Sequence, residues 1–104
     1  MSSTDGDQLR WLMQWYRSQC DGDWEHQQGV RIGTLDNPGW SLDVDLAGTS
    51  EQGRSMPEEL VERSEQHWLF VEAKDNVFRS RGGPENLVEM IDAFKSFVSG
   101  VGSS

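Results

Sequence analysis

Cysteine is nearly absent. Cys20 is the only one among 104 residues, so no disulfide closes within the chain and no thiolate zinc centre can be built from it. Proline occurs three times and histidine twice. Basic residues number nine against eighteen acids, and they form no run. A phosphate backbone therefore finds no platform, and nucleic acid and anionic membranes are excluded as natural partners. No long apolar stretch is present, and Met1 to Gln8 is polar and acidic. Neither a signal peptide nor a membrane span is read from it, and the expected location is the cytoplasm.

What remains suits one small acidic domain spanning 1–104, with an ordered core over about 5–100. The net charge is −9 at neutral pH. Residues 1–52 carry nine acids and three bases, and residues 53–104 carry nine and six. Five tryptophans in so short a chain must supply much of the burial.

Thr4 reads as an N-cap with Asp7 three residues on, opening a helix. Leu9, Leu12, Met13, Tyr16 and Cys20 follow in steps of three and four, and so predict one buried stripe. Trp11 and Trp15 fall outside its centre and widen the apolar arc to roughly 200°. A single sheet does not easily cover so wide an arc, so a loop, a partner or a second copy in a homodimer must cover the rest. Asp21-Gly22-Asp23 ends the helix.

Residues 30–35 predict a strand. Asp36-Asn37-Pro38-Gly39 predicts a type II turn with positive φ at Gly39. Trp40, Leu42, Val44 and Leu46 alternate with Ser41, Asp43 and Asp45, the pattern of a half-buried strand. Residues 47–56 predict a loop. Ser55-Met56-Pro57-Glu58 either caps a short helix through Arg63 or enters an edge strand. Residues 68–73 and 77–80 predict a second hairpin around Lys74-Asp75-Asn76. Gly82-Gly83-Pro84 is expected to open the last helix with proline at its first position. Leu87, Met90, Ile91, Phe94, Phe97 or Val98, and Val101 form its apolar face, and Gly100 stops it. The expected fold class is α+β: an antiparallel sheet of about four to five strands with N-terminal and C-terminal helices packed on one face.

Several constellations invite chemistry. Cys20 and His26 resemble a thiol and its base. Cys20, however, follows a helix C-terminus beside Asp21, and both raise a thiol pKa. A packed cysteine is the simpler reading. Asp21, Asp23, Glu25 and His26 gather oxygen ligands, but a calcium loop wants glycine and glutamate where His26 and Ile32 stand. No metal site is assigned. Asp43 and Asp45 lie roughly 7 Å apart along one strand face, a spacing that ordinary alternation also produces. His67 has no second histidine at ligand spacing. Arg79, Arg81, Gly82 and Gly83 before a helix form a candidate anion-binding turn, although no P-loop lysine follows. The remaining reading is a protein-binding surface. It combines aromatic anchors, Trp11, Trp15 and Trp24, with carboxylates, Asp21, Asp23, Glu25, Asp43 and Asp45. No catalytic residues and no cofactor are assigned.

Two motifs carry a family resemblance. The run Trp11-Leu12-Met13-Gln14-Trp15-Tyr16, continued by Ser18-Gln19-Cys20-Asp21-Gly22-Asp23-Trp24-Glu25-His26, resembles the opening of the immunity protein 53 family. Thr34-Leu35-Asp36-Asn37-Pro38-Gly39-Trp40, followed by Asp45-Leu46-Ala47-Gly48-Thr49, resembles the same family. Trp68, Phe78, Gly82-Gly83-Pro84 and the last helix fit its layout. The similarity runs from about Leu9 to Val98. It implies an intracellular antidote of a bacterial polymorphic toxin system, binding a cognate toxin domain without chemistry of its own. Acidity would suit a basic nuclease as that toxin. The alternative function is a small anion- or ligand-binding module at the Arg79–Gly83 turn.

Overall fold

The alternation in residues 40–46 marks an inner strand of the sheet with one buried face. In the computed structural model, which describes residues 4–100, β2 spans Gly39–Asp45, and Leu42, Val44 and the following Leu46 are fully buried. β1 (Val30–Leu35) precedes it, and β3 (Met56–Ser64), β4 (His67–Lys74) and β5 (Val77–Gly82) follow. The spatial order is β1-β2-β5-β4-β3, with every neighbouring pair antiparallel. β2, β5 and β4 are therefore inner strands, with β5 in the middle, while β1 and β3 form the two edges.

Local chemistry sets the hairpins. Asp75 and Asn76 have φ of 56° and 60°, the left-handed pair that a two-residue β-hairpin requires and that Asp and Asn tolerate. The β1–β2 connection departs from the expected type II turn. The Asn37–Pro38 bond is cis, and Gly39 is not among the glycines with positive φ. Glycine is needed at 39 for close approach instead, because a Cβ there would lie 2.3 Å from the Gly82 carbonyl oxygen. Of the two readings of residues 55–63, the edge strand is the one adopted, and Pro57 near its start suits an edge.

α3 (Leu87–Ser99) lies across β2, β4 and β5. Met90, Ile91, Phe94 and Phe97 are buried, as the spacing predicts. Gly100 adopts φ 76° and donates its N–H to the Ser96 carbonyl at 2.9 Å. Val101 lies outside the described residues. The helix does not open at Pro84. Gly82 still pairs with Trp40 and Leu69, so β5 runs on, and a turn through Asn86 must intervene before the helix. The Pro84 carbonyl accepts the Trp40 indole N–H at 3.0 Å.

α1 spans Thr4–Gln19 as expected and packs mainly on α3, on the same side of the sheet; the Thr4 side chain lies outside what the structure describes. Its buried stripe differs from the predicted one. Leu12 and Trp15 are buried and Trp11 packs against the core, whereas Leu9, Met13 and Tyr16 are 49%, 62% and 40% exposed. The reason is Phe94, which is fully buried with Trp15 at 4.9 Å, Trp11 at 5.7 Å and Phe78 at 4.9 Å around it. Two aromatic rings remove more apolar surface from water than the competing stripe does, so the helix turns its tryptophans inward. A single turn of helix, α2 (Trp24–Gln27), was not foreseen, and it delivers Trp24 edge-on to Trp15 at 6.2 Å.

Candidate interaction surface

The helix rotation that buries the tryptophans leaves the second apolar stripe of α1 unpartnered. Leu9, Met13 and Tyr16 form one wall of an open groove of about 710 Å³. β1 forms the other wall through Val30 and Ile32, and Ile32 is 42% exposed. His26, Gln27, Gln28, Gly29 and the buried Leu12 complete its lining with Arg31. Large apolar side chains that are exposed singly need no explanation, but four of them lining one groove single it out as the candidate surface. Cys20 directs its thiol to the Tyr16 carbonyl at 3.3 Å, and the contact with Cys20 raises the Tyr16 pKa. Among the described residues no group of His, Cys, Asp and Glu side chains is arranged to hold a metal ion.

The carboxylates named from the sequence divide into two structural sets. At the end of α1, Asp21 Oδ1 accepts the N–H groups of Asp23 and Trp24, both at 2.9 Å. The Glu25 carboxylate accepts those of Asp21 at 3.0 Å and Gly22 at 2.9 Å. These bonds to the charged forms hold both groups below the usual carboxylate range. The Trp24 N–H is the leading cause for Asp21, and the residue's own N–H is the leading cause for Glu25. Their work is to fold the 20–25 loop and seat Trp24, while Asp23 remains exposed.

Asp43 and Asp45 lie on the sheet face away from the helices, and neither is bare. Asp45 receives both guanidinium nitrogens of Arg31, at 2.8 and 3.1 Å, and the Gly29 N–H at 2.9 Å. Arg31, followed by Gly29, holds the Asp45 carboxyl below its ordinary value. Asp43 binds Arg81 at 2.8 Å. Arg79 faces Glu72 at 3.8 Å on the same surface.

These pairs also locate the anion-turn residues. Strand alternation sends Arg79 and Arg81 to the open sheet face, whereas Phe78 and Ser80 are buried toward α3. Gly82 sits against Met90, and a Cβ on Gly83 would lie 2.1 Å from the Gln66 carbonyl oxygen. The structure does not bring the two guanidiniums and the start of α3 together. Asn86 occupies that start, donating to Glu89 at 2.9 Å and accepting the Trp68 N–H at 3.3 Å.

Of the three tryptophan anchors, Trp15 and Trp24 are 7% and 5% exposed, and only Trp11 is half-buried. Residue spacing alone missed Leu9, Met13, Tyr16 and Ile32 as exposed, groove-lining residues and read the first three as core. The signal for the three helix residues was the excess width of the apolar arc, and nothing comparable marked Ile32.

A family model described as Immunity protein 53 matches residues 9–99. No curated protein and no solved structure matches the chain.

Proposed function

The chain belongs to the immunity protein 53 family, and from that premise we propose that it binds a cognate toxin domain and neutralises it by occlusion, seating the toxin in the groove between α1 and β1. The observation that carries the choice of surface is the group of exposed apolar side chains, Leu9, Met13, Tyr16 and Ile32, around one groove. Such a cluster supplies binding energy once a partner excludes water from it. Occlusion asks for shape and contact rather than catalysis, which suits a surface built from aliphatic and aromatic groups. The site of action is the cytoplasm of the producing cell.

The toxin favoured by the overall field is basic, as a nuclease domain is on the face that holds its substrate. A net charge of −9 attracts such a partner from a distance and raises the encounter rate. The buried tryptophans and the paired aspartates support the groove from behind: Trp15 and Trp24 fix α1, and Asp45 with Arg31 fixes the start of β1.

The test is rescue of growth. The toxin domain encoded beside this chain is expressed in a sensitive host, with and without co-expression of the chain. Wild type should restore growth. Met13→Asp combined with Tyr16→Asp should lose rescue while keeping the wild-type melting temperature, since both side chains are exposed. Full rescue by that variant would place the toxin on another surface. Failure of wild type to rescue would refute the antidote reading for that toxin.

A further inference from the structure

The groove is open along the backbone of β1, and that opening defines the shape of what fits. β1 is an edge strand whose only neighbour is β2. The Asp45 N–H donates to the Gly29 carbonyl at 3.0 Å. The antiparallel register pairs Arg31 with Asp43, Gly33 with Ser41 and Leu35 with Gly39. Alternation then makes these the hydrogen-bonded pairs, and Val30, Ile32 and Thr34 direct their N–H and C=O groups outward. The groove is lined by Val30 and Ile32 from the helix side of β1 and by Arg31 from the opposite side, so it wraps around the free edge.

We propose that the toxin fills the groove with an extended strand that pairs antiparallel or parallel with β1 and adds a sixth strand to the sheet. This rests on the reading of the groove as the toxin seat. A strand there satisfies the outward backbone groups of Val30, Ile32 and Thr34, and turns alternate side chains under α1. Leu9 to Tyr16 covers about 10 Å along the helix. Inward side chains of a strand recur about every 7 Å, so two apolar residues of the incoming strand meet Leu9, Met13 and Tyr16.

The two sheet edges are built differently. β3 carries Pro57, Glu58, Glu59 and Glu62 and has register shifts on both sides of its middle, the devices that keep an edge from pairing. β1 has no proline and no acid, its one charge, Arg31, is paired with Asp45, and its register with β2 is unbroken from Val30 to Leu35. Charge then selects the occupant. Arg10 and Arg17 follow the Leu9–Met13–Tyr16 stripe on its solvent flank, and neither makes an ion pair among the described residues. Arg31 on the strand side is already paired with Asp45, so Arg10 and Arg17 supply the charge of the rim. A second copy would bring the same two unpaired arginines to the groove and no unpaired acid among the groove-lining residues to meet them. The complement is a strand of a different protein, apolar on alternate residues and acidic beside the arginines. Long-range steering by the net charge and local seating by the arginine rim are separate effects of different residues.

Amide exchange read residue by residue tests this, using the labelled chain alone and in complex with the toxin domain encoded beside it. The expected result is slowing of Ile32 and Thr34 by about 100-fold in the complex, with Arg31 and Gly33, already in the ladder, changing little. Thr34→Pro removes one outward donor and leaves the β2 ladder intact. It should weaken binding by about tenfold with an unchanged melting temperature. If that variant unfolds, the exchange of the wild-type chain decides. Loss of binding in Met13→Asp with Ile32 and Thr34 still exchanging freely in the wild-type complex would overturn strand addition and leave the groove as the seat of a helix. Undiminished binding in Met13→Asp would overturn the groove itself. Slowing of the same amides with concentration in the chain alone would make the occupant a second copy. Arg10→Glu with Arg17→Glu should weaken binding several-fold, and tighter binding would overturn the assigned charge of the strand.

Discussion

Replacing Trp15 by alanine separates a core role from an interface role. The ring is 7% exposed and stands edge-on to Phe94 at 4.9 Å and to Trp24 at 6.2 Å. A buried indole removes roughly 200 Å² from water, which at about 25 cal/mol per Å² sets an upper bound of about 5 kcal/mol. Losing the edge-to-face contacts adds to the cost. One term opposes it: the Trp15 indole N–H is buried without a hydrogen-bond partner, and removing it recovers about 1 kcal/mol. The net expectation for Trp15→Ala is about 3–4 kcal/mol, within the usual range for aromatic truncation in a core. For a chain of this size that lowers the melting temperature by about 15–25 °C. Urea denaturation followed by far-ultraviolet circular dichroism measures it without relying on tryptophan emission. Met13→Ala is the counterpart. That side chain is 62% exposed, so stability should change by less than about 0.5 kcal/mol, while toxin affinity falls by about 1–2 kcal/mol. Loss of under about 1 kcal/mol in Trp15→Ala, with a large fall in toxin affinity, would refute the assignment of Trp15 to the core.

Three further outcomes are expected. Asp45 has its folded pKa depressed by Arg31 and the Gly29 N–H, so the stability it contributes is full above its unfolded pKa of about 4 and is lost as pH falls through the lower folded value. Asp45→Asn should cost about 1–2 kcal/mol at pH 7, toward the low side because Arg31 is half in solvent, and the gap to wild type should close as denaturation is repeated toward pH 3; a gap independent of pH would contradict the pairing. Gly83→Ala places a Cβ 2.1 Å from the Gln66 carbonyl and 2.8 Å from Asn86 Oδ1, where backbone must move. Calorimetry should show a loss of about 2–3 kcal/mol, and an unchanged melting temperature would mean the turn yields freely. Stopped-flow association with a basic toxin should slow several-fold from about 0.02 to 0.15 M salt if the net charge steers encounter; an indifferent rate would remove the electrostatic part of the proposal.

Much of the fold is legible along the chain because its signals are local. Alternation from Trp40 to Leu46 marks a strand with one buried face. Asp75-Asn76 meets the backbone demand of a tight hairpin between neighbours in sequence. The spacing from Leu87 to Phe97 marks a helix face, and Gly100 supplies the left-handed residue that ends it. None of these requires knowledge of a distant contact. The motifs of residues 11–26 and 34–49 likewise carry the family resemblance without any structure.

Tertiary structure decided whatever depends on residues far apart. α1 has two apolar stripes, and periodicity cannot rank them; Phe94, more than seventy positions away, draws in Trp11 and Trp15 and leaves Leu9, Met13 and Tyr16 on the surface. Asp43 and Asp45 are carboxylates on an exposed strand face in the sequence, and cross-strand register alone supplies Arg81 and Arg31 to pair with them. The path of β5 through Gly82, and hence the late start of α3, depends on pairing with both β2 and β4. The amino-acid sequence by itself determined the elements, the turn residues, the charge and an apolar arc wider than one interface. Packing determined which half of that arc is core and which half stays exposed, because burial is a competition among surfaces that meet only when the chain is folded.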